Sequence, residues 1–234
     1  MSNPNSCPDE HVFVVIPTYE EDAVVGQTVR ELVPYGFTIV VVDDGSSIPA
    51  AEFLPDSNVH YLRHAANLGQ GAALQTGMEY ALLHDAKIVV HFDADGQHNP
   101  ALIRKLIAPI AAGECDVVIG SRFLDPKDKH QVPVLKRLLV KAGVLVSWVF
   151  SGLWLSDTHN GFRALSREAA KRIHLNENGY AHATEILELL RKSGLRYGEV
   201  PTTVRYTEYS LAKGQPLVNS LNIVFDLLLG KFFK

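Results

Sequence analysis

Cysteine is nearly absent. Cys7 and Cys115 are the only two, far apart and without metal-site spacing. They offer neither a disulfide framework nor a cysteine-built zinc site, and they fit a reducing cytosol. Positive charge is not in excess either: the net charge is −4, which gives no support to nucleic-acid binding and confines any basic surface to a local patch. The opening MSNPNSCPDEH is polar and is expected to carry no signal peptide. No apolar run reads as a membrane span. Lys141, Gly143, Ser147 and Gly152 interrupt one stretch, and Asn219, Asn222 and Asp226 interrupt another. Internal repeats and low-complexity segments are also missing. What is left is an ordinary globular composition, 47% hydrophobic and 21% charged over 234 residues, enough for one domain with a substantial core.

The most informative stretch is residues 88–100, IVVHFDADGQHNP. Ile88, Val89, Val90 and Phe92 read as a buried strand. It stops at Asp93-Ala94-Asp95-Gly96, and Asn99-Pro100 then supplies a helix N-cap with proline at the first position, where no N–H is needed. Two carboxylates therefore sit at the carboxyl end of a strand, where open α/β sheets bind ligands. One residue apart, they repel each other unless a positive charge is shared. A hard cation such as Mg²⁺ or Mn²⁺ meets that need, because it accepts a few carboxylates and completes its shell with water and substrate phosphates.

Three competing chemistries are testable on the same residues. An EF-hand loop counted from Asp93 needs Gly at the sixth position and Glu at the twelfth, which here are His98 and Arg104. A haloacid-dehalogenase-type phosphatase also follows a strand with D-x-D-G, usually near the chain start and with Thr or Val next. Gln97 takes that place here, so a phosphatase built on Asp93 stands only as a remote alternative. A zinc site from His91, Asp93, Asp95 and His98 has no H-x-x-x-H spacing behind it.

The rest of the first half alternates apolar strands with amphipathic helices. Strands are expected at residues 12–16, 38–42, 59–62 and 116–119, beside the central one. Helices are expected with Val25, Val29, Leu32 and Val33 on one face, then Leu74, Met78, Ala81 and Leu82, then Leu102, Ile103, Leu106, Ile107 and Ile110. This pattern predicts an α/β fold, a mostly parallel central sheet covered by helices on both faces. Polar groups recur at successive strand ends: Tyr19 and Glu20, Asp43 and Asp44, Asp93 and Asp95, Ser121 and Arg122. Each alone is an ordinary turn. Four on one sheet edge make a site. The glycines of Asn67-Leu-Gly-Gln-Gly71 lack the third glycine of a dinucleotide fingerprint and fit close packing equally well.

In order, PTYEE, VDDGS, NLGQGAAL, FDADGQHNP and GSR resemble the inverting nucleotide-sugar glycosyltransferases of family two, with the GT-A fold. SDTHNGFRALSREA (residues 156–169) and EVPTTVRYTEYSLAKGQ (residues 199–215) resemble the polyprenyl-phosphate sugar synthases, the dolichol-phosphate mannose synthase branch. The similarity spans roughly residues 12–216. It implies that Pro17, Tyr19 and Glu20 lie near the nucleoside, that Asp43 reads the base or ribose, and that Asp44 and Lys213 also serve the nucleotide sugar. It implies too that Asp93, Asp95 and Gln97 hold Mg²⁺ or Mn²⁺ on the diphosphate, with Asp95 catalytic. Arg122, Arg137 and Arg205 match arginines that surround the acceptor phosphate, a task suited to charge and planar fork geometry. Ser210 and Lys213 match a Ser–Lys element in which, elsewhere, Ser directly precedes Lys; here Leu211 and Ala212 intervene. Asp157 and Arg163 are expected to pair and fix the loop around Asn160-Gly161.

Residues 125–141 carry Lys127, Lys129, Lys136, Arg137 and Lys141 against Asp125 and Asp128, and lead into an apolar stretch with Trp148, Phe150 and Trp154. That is how an interfacial element reads. Residues 217–234 place Leu217, Leu221, Val224, Leu228 and Phe232 near one helical stripe, an amphipathic segment for a membrane surface, the domain or a small membrane-protein partner; residues 1–11 read as a loose tail. The whole is read as metal-dependent, inverting transfer of a sugar from a UDP- or GDP-type carrier to a polyprenyl phosphate, on the cytosolic face of the membrane. The main alternative within the enzyme class is transfer to a sugar hydroxyl of a lipid-linked glycan, with Glu185 as base. A non-catalytic subunit of the same fold would not keep every strand-end group.

Overall fold

The computed structural model describes residues 11–56, 59–124, 152–153, 155–158 and 160–205. Its seven strands are β1 (Val12–Thr18), β2 (Thr38–Asp43), β3 (Val59–Arg63), β4 (Ile88–His91), β5 (Val117–Ser121), β6 (Arg163–Ser166) and β7 (Tyr197–Pro201). They form one sheet in the order β3-β2-β1-β4-β6-β5-β7. All neighbours pair in parallel except β6, which runs antiparallel to both β4 and β5. The expected mostly parallel sheet is present.

Alternation along each strand divides the core in two. Phe13, Val15, Val40, Val42, Val89, Val117, Ile119 and Leu165 face one layer. That layer is completed by α2 (Gln70–Leu83), α4 (Arg167–Arg172) and α5 (His182–Ser193). Val12, Val14, Ile16, Ile39, Val41, Ile88, Val90, Val118 and Ala164 face the other, under α1 (Asp22–Leu32) and α3 (Ile103–Ala111). The predicted helix faces are turned to the core, with Leu82 and Leu102 half-buried against it, except at Val33. It is 40% exposed because α1 gives way there to a 3₁₀ turn, Val33–Tyr35, with Pro34 inside it. The Asn99 carboxamide caps a 3₁₀ turn at Pro100–Leu102 by accepting from Ala101 N, and α3 follows.

The sequence reading did not separate β6 and β7 from their motifs. β6 is four residues that run straight into α4, and β7 (YGEVP) mixes glycine, a carboxylate and proline, so neither carries a strand-length apolar run. The tail expected over residues 1–11 meets the sheet at His11, whose carbonyl accepts from Lys87 N at 2.9 Å. No described helix is long and apolar enough to cross a membrane. The stretches 125–151 and 206–234, with the interfacial and C-terminal elements expected there, lie outside the described residues.

α2 approaches the sheet closely at Gly77, where a Cβ would run into Val15 Cγ1 and come within 3.2 Å of Val42 Cγ2. A helical Gly→Ala change ordinarily gains about 1 kcal/mol of propensity. Forcing a methyl between packed valines costs about 1–3 kcal/mol. Gly77→Ala is therefore expected to lower unfolding stability by about 1 kcal/mol net, read as a lower urea midpoint with unchanged slope. A raised midpoint would show that α2 sits more loosely.

Candidate active site

Because six strands point the same way, their carboxyl ends share one edge. β6 brings its amino end, with Asn160-Gly161, to that same edge. The strand ends are tied to one another before any ligand is considered. Thr18 pairs with Asp43 in register, and Asp44 N donates to Thr18 O at 2.9 Å. Glu20 sits in the left-handed region (φ 52°), costly for a side chain with a Cβ and held here by its neighbours. Its carboxylate accepts from Ser47 N and Ser47 Oγ, both at 2.8 Å, and its own N–H donates to Ser46 Oγ. Tyr19, two residues after Pro17, is 44% exposed at the rim.

Asp43 and Asp44 are buried. Asp43 accepts from Ser46 N, Ala50 N and the Tyr61 hydroxyl, at 2.9, 2.9 and 2.7 Å, with Arg63 Nε 3.6 Å away. Burial pushes its pKa up, but the hydrogen bonds from Ala50, Ser46 and Tyr61 prevail and hold it below the ordinary carboxylate value. Asp44 accepts from Leu68 N and Gly69 N and is bonded to His64 Nδ1 at 2.7 Å. It thereby anchors the Asn67–Gly71 turn. The glycines of that turn serve close packing: a Cβ on Gly69 would strike Asn178 O, one on Gly71 would strike Glu177 O, and Gly71 N donates to Asn178 O.

Asp93 is the centre of the edge. Its side chain is 28% exposed, with Oδ2 2.9 Å from His98 Nε2 and Oδ1 accepting from Gln70 Nε2 at 3.1 Å. Gly161 lies against the carboxylate so closely that a Cβ there would strike Oδ2. Burial raises the Asp93 pKa, yet the His98 hydrogen bond and the charges of His98, Arg163 and His182 outweigh it, so the group stays ionised. Asp95 accepts from Gln97 N through Oδ1, which closes the turn. His98 packs between Phe92 and Phe162 and forms an isolated β-bridge with Val204. The next residue, Arg205, donates its N–H to Gln97 O at 2.9 Å while its guanidinium meets Glu31 on α1. Asp93 and Asp95 bring hard carboxylate oxygens to this turn, with Gln97 beside them. A zinc cluster is not favoured: His91 is 1% exposed, and among the described residues no group of three His, Cys, Asp or Glu side chains could hold a metal.

Beyond β5, Arg122 grips Asp157 with two bonds of 2.7 Å, from Nε and Nη2. This corrects the expected Asp157–Arg163 pair. Asp157 takes Arg122 because Glu199 on β7 holds the 156–157 loop, accepting from Ser156 N, Ser156 Oγ and Asp157 N, while Ser121 Oγ meets Ser156 Oγ at 2.6 Å. Glu185, near the start of α5, accepts from Asn176 N, Asn176 Nδ2 and Glu177 N. Its carboxylate holds the loop before the helix.

Residues 13–174 match the family model of glycosyl transferase family 2. The chain belongs to that family. Among its relatives it is 37% identical to an uncharacterised protein of Methanocaldococcus jannaschii, over 98% of this chain and 96% of the other. It is 31% identical to the UDP-N-acetylglucosamine–dolichyl-phosphate N-acetylglucosaminyltransferase of Methanococcus voltae, over 97% and 98%. It is 30% identical to the polyprenol monophosphomannose synthase of Mycolicibacterium smegmatis, over 88% and 82%. In fold it resembles the glucosyl-3-phosphoglycerate synthase of Mycobacterium tuberculosis crystallised with Mn²⁺, UDP and phosphoglyceric acid. That likeness has a TM-score of 0.63 at 18% identity and covers 90% of this chain and 76% of that one. The GT-A architecture expected from the motifs is present, and a family 2 glycosyltransferase replaces the phosphatase alternative.

The family 2 edge thus brings together Pro17, Tyr19, Glu20, Asp43, Asp44, Asp93, Asp95 and Gln97, with Arg205 joined to it through the backbone. Arg122 stands across β6, paired with Asp157, and Glu185 is occupied. Arg137, Lys213 and Ser210 lie outside the described residues. Gln70, Gly161 and Glu199 escaped the sequence reading as site residues, and His98 was weighed there only as a zinc ligand. All four stand inside motifs already quoted, but only the fold puts Gln70, His98 and Gly161 on Asp93 and Glu199 on the 156–157 loop.

Asp43 separates wall from ligand. Asp43→Asn places an amide N–H where two N–H donors and a hydroxyl converge, and is expected to cost about 2–3 kcal/mol at pH 7. Because the folded pKa lies below its ordinary 3.8, this stabilisation is complete above that value and fades as pH falls through the folded pKa. Urea unfolding at pH 7 and pH 3 should therefore give a gap between wild type and variant that shrinks in acid. An equal gap at both would assign the loss to shape alone.

Proposed function

We propose that this glycosyltransferase moves a sugar, with inversion, from a nucleoside diphosphate to a polyprenyl phosphate at the cytosolic face of a membrane. The observation that carries the reading is the Asp93–Asp95 pair, one member hydrogen-bonded by Gln70 and His98, with the Arg205 backbone bonded to the same turn. The printed activities of the M. voltae and M. smegmatis relatives support the lipid-phosphate acceptor, and the Mn²⁺ and UDP of the M. tuberculosis structure support the donor side. Asp93, Asp95 and Gln97 would hold Mg²⁺ or Mn²⁺. The ion would supply positive charge to the diphosphate as the glycosidic bond breaks.

The protein's own residues would do the rest. Pro17, Tyr19 and Glu20 form the nucleoside wall, which Asp43 and Asp44 brace from behind, and Lys213 is assigned to the nucleotide sugar. Arg122, Arg137 and Arg205 orient the acceptor phosphate. That nucleophile is already largely a dianion at pH 7, so it needs positioning and no base. The engagement of Glu185 with the 176–177 backbone favours this acceptor over a sugar hydroxyl. In this reading residues 12–216 are the catalytic domain, and residues 125–151 and 217–234 bring it to the membrane surface or to a small membrane-protein partner.

Two experiments test the reading. With polyprenyl phosphate and a panel of UDP- and GDP-sugars, turnover should need Mg²⁺ or Mn²⁺. Asp95→Asn should lose about 100-fold or more of it with an unchanged thermal midpoint. Full turnover in excess chelator would defeat the metal assignment. Arg205→Ala should raise the acceptor KM about 10-fold or more, since hydrogen bonds to charged groups are worth about 1.5–3 kcal/mol, whereas Glu185→Gln should stay within about twofold in kcat. If Glu185→Gln abolishes transfer with folding and donor binding intact while Arg205→Ala works, the acceptor is a hydroxyl.

A further inference from the structure

Beneath Asp93 the sheet buries three basic side chains. Arg163 and His91 are directly paired across β6 and β4, each 1% exposed, and His182 reaches them from α5 at 5% exposed. By strand alternation Gly161, Arg163 and Leu165 share the face of Val89 and His91, the face on which Gly161 touches Asp93. A buried guanidinium is costly unless a negative charge answers it. Among the described residues no hydrogen bond reaches Arg163 Nε, nor either ring nitrogen of His91. The acidic groups whose charge Arg163 feels are Asp93 and Asp157. Asp157 is already matched by the two-bonded Arg122. Asp93 is left as the answering charge.

We propose that Arg163 is a positioning residue for Asp93, a built-in counter-cation that keeps the site's affinity for a divalent ion low until a diphosphate arrives. This rests on the metal reading above. Asp93 and Asp95 alone offer two negative charges, and Arg163 cancels one of them from inside the core. Affinity of oxygen-ligand sites follows the charge of the ligands. A diphosphate brings the missing negative charge from the solvent side, so ion and nucleotide enter together. Burying the cation also lets Asp93 stay ionised and still when no ion is bound.

Mn²⁺ binding, followed at pH 8 by the electron paramagnetic resonance of the free ion with and without UDP or GDP, reads this directly. Wild type should bind Mn²⁺ about 10-fold or more tightly with the nucleotide than alone. Arg163→Met, close in volume and uncharged, should bind Mn²⁺ alone about 10-fold more tightly than wild type, because a nearby buried charge has been removed. Arg163→Lys should restore the wild-type value. A folded Arg163→Met variant with unchanged or weaker Mn²⁺ binding overturns the proposal. So does wild type binding Mn²⁺ equally well with and without nucleotide, a comparison that stands even if Arg163→Met fails to fold. No Mn²⁺ uptake under any condition, while UDP or GDP still binds, removes the metal reading itself and this inference with it.

Discussion

Two carboxylates one residue apart at the end of a buried strand must both be kept charged, and the rest of this structure answers that constraint. The means come from different parts of the chain. Gln70 is on the first turn of α2, His98 lies in the turn before α3, and Gly161 and Arg163 belong to β6 and the loop before it. Asp93 cannot be positioned by its own motif. It needs the antiparallel strand between β4 and β5, because only a strand running the other way brings an amino end, with its glycine and arginine, to the edge where the parallel strands end. One reversed strand is thus part of the site's chemistry as well as of its topology.

Burial sorts the acidic residues of that edge into two kinds. Asp43 and Asp44 are enclosed, and their oxygens are taken up by backbone N–H groups, a tyrosine hydroxyl and a histidine. They hold loops in place, which is why the β1, β2 and β3 ends form one wall. Asp93 is enclosed from behind and open in front. The same side chain therefore serves as mortar in one position and as a ligand-facing charge two strands away. As strand-end carboxylate pairs the two look alike in composition.

This also marks how far the sequence could be read. The unbroken apolar runs of β1, β2 and β4 and the periodic helix faces of α2 and α3 were legible because each is local. The strand-end clusters were legible because a parallel sheet puts them on one edge. The partner of Asp157 was not, since Arg163 is only six residues away in sequence whereas Arg122, the actual partner, is 35 away and is brought near by the fold, with Glu199 holding the Ser156–Asp157 loop. The occupation of Glu185 was likewise hidden: its partners are the main-chain N–H groups of Asn176 and Glu177, which carry no side-chain signature, and the Asn176 carboxamide nine residues away. β6 was hidden by its brevity, and with it the reason that a G-F-R triplet belongs beside a D-x-D.

The His98–Val204 bridge and the Arg205–Gln97 bond have a mechanical consequence in the proposed reaction. In-line displacement demands that the nucleophile approach opposite the leaving diphosphate, and misplacement by about 1 Å can cost about 100-fold in rate. A donor site and an acceptor site on separate loops would drift relative to each other. Here the turn carrying Asp95 and Gln97 and the segment entering the arginine-bearing loop share backbone hydrogen bonds, so moving one moves the other. Arg122 is steadied by a different route, through Asp157 and the Glu199 clamp on β7, and β7 is the strand that runs on to Arg205. The two proposed acceptor arginines among the described residues, Arg122 and Arg205, therefore hang from one strand. Their spacing is set by the sheet and not by flexible side chains, which is what an acceptor held as a phosphate dianion requires.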